Sequence, residues 1–74
     1  MTLGRRLFLI RTEARIQSCV VAERAGTTFS AYSSMERGFR KNISIDMLIR
    51  IANVYGMTLS QLFEGVDDVA YKKR

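Results

Sequence analysis

The sequence predicts an all-α domain of five short helices with no strand, and three features of its 74 residues point there. Apolar residues recur at helical rather than alternating spacing along most of the chain. Gly26, Gly38, Gly56 and Gly65 each follow such a stretch, where a left-handed residue closes a helix. The chain contains no proline, so the segments run unbroken and are joined by tight turns. Gly4 is the exception among the five glycines and is expected in a frayed first turn.

Thr2 is expected to cap a first helix that ends near Ala14, with Leu3, Leu7 and Ile10 on one stripe and Phe8 beside it. Arg5, Arg6 and Glu13 would face water. A second helix spans about Gln17 to Ala25, with Val21, Ala22 and Ala25 spaced to meet a core. Thr28 can cap a third, ending at Arg37 before Gly38, with Tyr32 and Met35 inward. After a basic connector from Phe39 to Ile43, Ser44 caps a fourth helix. Asp46 in its first turn suits the helix dipole, and Met47, Leu48, Ile51, Ala52 and Tyr55 follow. Thr58 and Gln61 form a capping box that opens a fifth helix holding Leu59, Leu62 and Phe63. The pattern fades after Val66.

Length and composition narrow the function. The chain makes one small domain, whose core rarely supplies more than about 3–5 kcal/mol, so a staple or a partner subunit is expected. The single cysteine, Cys19, cannot form an internal disulfide, and the lack of histidine removes Cys/His zinc sites and His-dependent catalysis. Lone carboxylates and serines without a base make no enzyme. No metal site, cofactor or small-molecule effector is expected. No apolar run approaches the roughly 18–20 residues of a membrane span, and no signal peptide opens the chain. A soluble protein of a reducing compartment, the cytoplasm, is expected.

The net charge of +5 is one-sided: residues 1–42 hold eight basic and three acidic residues, whereas from Ile43 onward there are four of each. With a pI near 10.0, that asymmetry points to a polyanion, nucleic acid before membrane.

Val21-Ala22-Glu23-Arg24-Ala25-Gly26-Thr27-Thr28 reads as a helix, a glycine turn and a capped second helix, which Glu36-Arg37-Gly38 closes. With Asn42-Ile43-Ser44-Ile45, Leu48-Ile49-Arg50-Ile51-Ala52 and Tyr55-Gly56-Met57-Thr58-Leu59-Ser60-Gln61-Leu62-Phe63, this resembles the helix-turn-helix of the Cro/C1-type (XRE) family, over about residues 3–65. That family includes the lambdoid phage repressors and Cro. The resemblance implies a lambda-repressor-like DNA-binding domain over residues 1–66, with residues 67–74 a short flexible tail. Its helix-turn-helix would be the second and third helices. The chain departs from the family in Arg15, where the turn is often Gly, in Ser18, where Gln is preferred, and in Cys19-Val20, which replaces an acidic pair.

By this resemblance the third helix is the recognition helix, with Thr28, Phe29, Ser30, Ala31, Ser33 and Ser34 as candidate base readers. The serines have a plainer alternative as a solvated face. Phe29 stands where the family often has Gln, Arg or Lys; it can meet a thymine methyl or pack inward. Serines discriminate weakly, so DNA shape is expected to carry much of the specificity. Phosphate contacts fall to Gln17 and Ser18 at the start of the second helix, and to Arg37, Arg40, Lys41 and Asn42 after the third. The Arg40-Lys41 pair can equally be a solvated loop. Arg11 and Glu36 correspond to a structural ion pair in phage repressors. Tyr55, Met57, Leu59, Phe63 and Val66 are candidates for a homodimer interface, with core packing as the alternative for each. Cys19 reads as an inert reduced thiol.

The expected function is therefore a homodimeric, sequence-specific transcriptional regulator, binding double-stranded operator DNA with two half-sites and controlling its own expression. Restriction-modification controller proteins and phage repressors are the nearest types. The alternative is an antitoxin or adaptor that uses the same fold to grip a protein.

Overall fold

A computed structural model describes residues 1–39 and 43–67. Among them are five helices and no strand: α1 (Leu3–Ala14), α2 (Ser18–Ala25), α3 (Phe29–Arg37), α4 (Ile45–Val54) and α5 (Leu59–Leu62). Side-chain caps set four of the five starts. Thr2, Thr28 and Ser44 accept from the amides of Arg5, Ala31 and Met47 at 3.2, 3.1 and 3.1 Å. Thr58 accepts from the Gln61 amide at 3.1 Å, and Gln61 Oε1 accepts from the Thr58 amide at 2.9 Å, completing the capping box. α2 alone starts without a side-chain cap, at Gln17.

α2 and α3 stop where the glycines predict, Gly26 and Gly38 serving directly as left-handed caps at φ 77° and 80°. α4 and α5 end instead at Val54 and Leu62 with Tyr55 and Phe63 as caps, short of the left-handed Gly56 and Gly65. α1 stops without one. Arg15 takes the left-handed conformation itself at φ 60°, the one non-glycine with positive φ among the described residues. A β-carbon there costs about 1–2 kcal/mol. The Arg15 and Ile16 amides, bonded to Thr12 O and Arg11 O at 3.1 and 3.2 Å, help hold it.

The core gathers one stripe from each helix: Leu3, Leu7 and Ile10; Val21, Ala22 and Ala25; Tyr32 and Met35; Leu48, Ile51 and Ala52; and Leu62, with Ile43 from the connector. α2 packs on both α3 and α4, α1 packs on α3, and α5 closes against α4. The small Ala22, fully buried, lets α2 approach its neighbours closely.

Two expectations at the start of α1 are corrected. Gly4 does not fray; it is buried where α1 crosses the end of α3, and a β-carbon there would stand 2.6 Å from Glu36 O and 2.7 Å from Met35 O. Arg6 does not face water. Its Nε donates to Leu62 O at 3.1 Å and its Nη2 to Gln61 O at 2.7 Å, with Glu64 at 3.8 Å. Arg6 thus satisfies carbonyls left open at the end of α5, a cation at a helix C-terminus. Neither contact is written in local periodicity, because each joins segments far apart in sequence.

Candidate nucleic-acid interface

The α2–turn–α3 unit is built by ordinary local chemistry. Gly26 bends the chain with its N–H on Glu23 O at 3.1 Å, and the Thr27 amide reaches back to Ala22 O at 2.9 Å. Thr28 then caps α3. With Tyr32 and Met35 buried, the opposite side of α3 is fixed outward by helical geometry.

Phe29 and Ser30 are exposed, Ser33 and Ser34 half-buried, and Arg37 exposed, so they run as one outward strip. Ala31 is half-buried on the flank, and Thr28 is exposed at the cap. Phe29, 55% exposed, does not join the core. Of its two expected roles, inward packing is thereby excluded. The end of α3 is finished by the Gly38 and Phe39 amides, bonded to Met35 O and Ser34 O at 3.2 and 3.0 Å. Phe39 itself is 74% exposed.

At the start of α2, Gln17 is exposed and Ser18 half-buried. Gln17 Oε1 accepts a weak contact from Cys19 Sγ at 3.6 Å instead of capping the helix. The first amides of α2 therefore keep their capacity for an anion. Cys19 is an exposed free thiol. Arg40, Lys41 and Asn42, expected to bind phosphate, lie outside the described residues, as does the tail from Asp68 onward.

α3 is tied to α1 by a bidentate ion pair: Arg11 Nε donates to Glu36 Oε2 at 2.6 Å and Nη2 to Oε1 at 3.2 Å. A third donor, Nη1, reaches Ile16 O at 3.1 Å. Both side chains are largely shielded, at 17% and 11% exposure. The hydrogen bond to Glu36 raises the already high pKa of Arg11, against the opposing pull of burial. Beside this pair lie Tyr32 and Tyr55, whose buried hydroxyls have no hydrogen bond of good geometry among the described residues. Burial raises the pKa of both phenols, and the proximity of Glu36 adds to it.

Tyr55, Met57, Leu59, Phe63 and Val66 are each partly buried and pack against the core, keeping some surface in solvent. More exposed apolar side chains occur elsewhere, among them Ile45 and Ile49 on α4, one helical turn apart. Among the described residues no His, Cys, Asp and Glu cluster could hold a metal ion, and no helix is long and apolar enough to cross a membrane.

No curated protein matches this sequence. The profile of the helix-turn-helix family matches residues 11–62, from the ion-paired Arg11 through α5, which is more than two thirds of the chain. This chain belongs to the Cro/C1-type helix-turn-helix family of DNA-binding regulators.

Proposed function

We propose that the protein is a homodimeric transcriptional regulator that reads an operator of two half-sites and controls its own promoter. One observation carries this reading: the strip of α3 from Phe29 through Ser30, Ser33 and Ser34 to Arg37 lies opposite the buried Tyr32 and Met35, exposed or half-exposed among the described residues. In this family's docking mode, the leading turn of α3 enters the major groove. There Phe29 meets a thymine methyl, while Thr28 and the serines reach base edges. Ala31, on the flank, contacts the groove wall. With no bidentate donor such as Gln or Arg on the strip ahead of Arg37, which is assigned to phosphate, sequence-dependent DNA shape carries much of the discrimination.

Phosphates are held by the amides and side chains of Gln17 and Ser18, and by Arg37, Arg40, Lys41 and Asn42. A domain this small makes few base contacts, so two copies on half-sites about 34–36 Å apart supply the affinity. The self-association surface is formed by the solvent-facing parts of Tyr55, Met57, Leu59, Phe63 and Val66. The one-sided charge, all carried by residues 1–42, supports DNA over a protein as partner. Regulation follows protein concentration, in the manner of a controller protein or phage repressor.

A gel shift against the protein's own upstream region tests this. The wild type retards the DNA, the R40A/K41A double variant does so weakly, and binding falls steeply with salt as counterions are released. Equal fractions of DNA retarded by both proteins across a titration at low salt, or binding insensitive to salt, would overturn the proposal.

A further inference from the structure

The first turns of α1 and the end of α3 enclose a groove that shares only Arg37 with the outward strip. It is lined by Thr2, Arg5, Phe8, Glu36 and Arg37. The Glu36 carboxylate is taken by Arg11, so the charge that the groove presents is that of its two arginines. Neither Arg5 nor Arg37 forms an ion pair among the described residues. The Arg5 guanidinium lies 5.3 Å from the centroid of the Phe8 ring, a cation–π contact that orders the side chain without using its N–H donors. The neighbouring carbonyls at the end of α3 are occupied by the Gly38 and Phe39 amides. The N-terminus of α1 opens at the same end and adds partial positive charge.

Two guanidinium groups lining a groove, one of them ordered on Phe8, with the nearby acid already paired, suit an oxyanion of tetrahedral shape. The position of Arg37 says which one. It lies on the outward strip of α3, three and four residues beyond Ser34 and Ser33, so a duplex lying along that strip passes its backbone over the groove.

We infer that this groove binds a backbone phosphate of duplex DNA, held between Arg5 of α1 and Arg37 of α3. The footprint then extends beyond the helix-turn-helix onto the first helix. The inference rests on the DNA-binding reading above and adds a residue, Arg5, that lies outside the matched segment.

The test is fluorescence anisotropy with a labelled duplex of about 20 bp, long enough for two half-sites one turn apart. Wild type, R5A, R5Q and R50A are titrated between roughly 50 and 200 mM salt. Loss of one phosphate contact makes the slope of log K against log salt shallower by about 0.9, so the wild-type advantage over R5A shrinks about threefold across that range. R5Q, which keeps most of the side chain's length, behaves likewise. R50A removes the same formal charge outside the groove, where Arg50 pairs with Asp46 at 3.1 Å, and keeps the wild-type slope. Wild-type binding with an unchanged slope for R5A and R5Q, or an equal slope change in R50A, overturns the groove alone. Absence of any wild-type binding overturns the DNA-binding reading and the groove with it.

Discussion

Gly4 in α1 faces the carbonyl oxygen of Glu36 in α3 so closely that a β-carbon on it would stand 2.6 Å away, which leaves no room for a side chain. The contact is backbone to backbone, so a methyl group there cannot be accommodated by a side-chain rotation. The two helices must move apart. G4A is therefore expected to destabilise the fold by about 1–3 kcal/mol, despite alanine's better helix propensity. Urea unfolding followed by circular dichroism measures it. A stability equal to or above wild type would show that α1 and α3 are not packed this closely.

The Arg11–Glu36 pair, two turns further along α1 at the same junction, should be strongly coupled. Removing either partner leaves a shielded charge with lost hydrogen bonds, at a cost of about 2–4 kcal/mol. In a double-mutant cycle of R11M and E36Q, the double variant should cost less than the two single changes added together. Additive losses would mean that the pair contributes no interaction energy.

The two tyrosines make stability sensitive to alkaline pH. Their folded pKa values are raised above the ordinary value of 10.0, so the stabilising protonated form is fully present below pH 10 and stability falls as pH rises above it. Y32F should remove most of this loss. At neutral pH it should shift stability by less than about 1 kcal/mol, because the hydroxyl it deletes has no well-formed hydrogen bond. Thermal melts at pH 7 and above pH 10 distinguish the outcomes. An identical alkaline decline in Y32F would assign it to other groups.

Arg15 is a site for a gain in stability. Glycine adopts φ 60° without the clash of a β-carbon, and R15G should stabilise by about 0.5–1 kcal/mol after the extra flexibility of the unfolded chain is counted. Denaturant midpoints at constant m-value test this. A destabilised R15G would show that the arginine side chain contributes more than its backbone costs.

Local chemistry made most of the architecture legible. Thr2, Thr28, Ser44 and the Thr58–Gln61 box announce helix starts because a cap depends on residues only a few positions apart. Tyr32 and Met35 announce the inward side of α3 through spacing alone, and the outward strip follows from them. The start of α1 departs from its local pattern because its constraints come from elsewhere in the chain. Gly4 is small on account of carbonyls 31 and 32 residues away, and Arg6 is shielded on account of the open end of α5. Phe29 has two readings in sequence because an aromatic ring suits either a thymine methyl or a core. Only the packed arrangement removed one. The groove between Arg5 and Arg37 was equally invisible, as it exists only where two helices meet.

If the protein reads a duplex, it does so with the outward leading turn of α3. Amide chemical-shift mapping while the upstream duplex is titrated into labelled protein tests it most directly. The largest changes are expected on Thr28, Phe29, Ser30, Ser33 and Ser34, with Arg37 beside them. Changes confined to Ile45, Ile49 and their neighbours on α4, with the α3 strip silent, would contradict it.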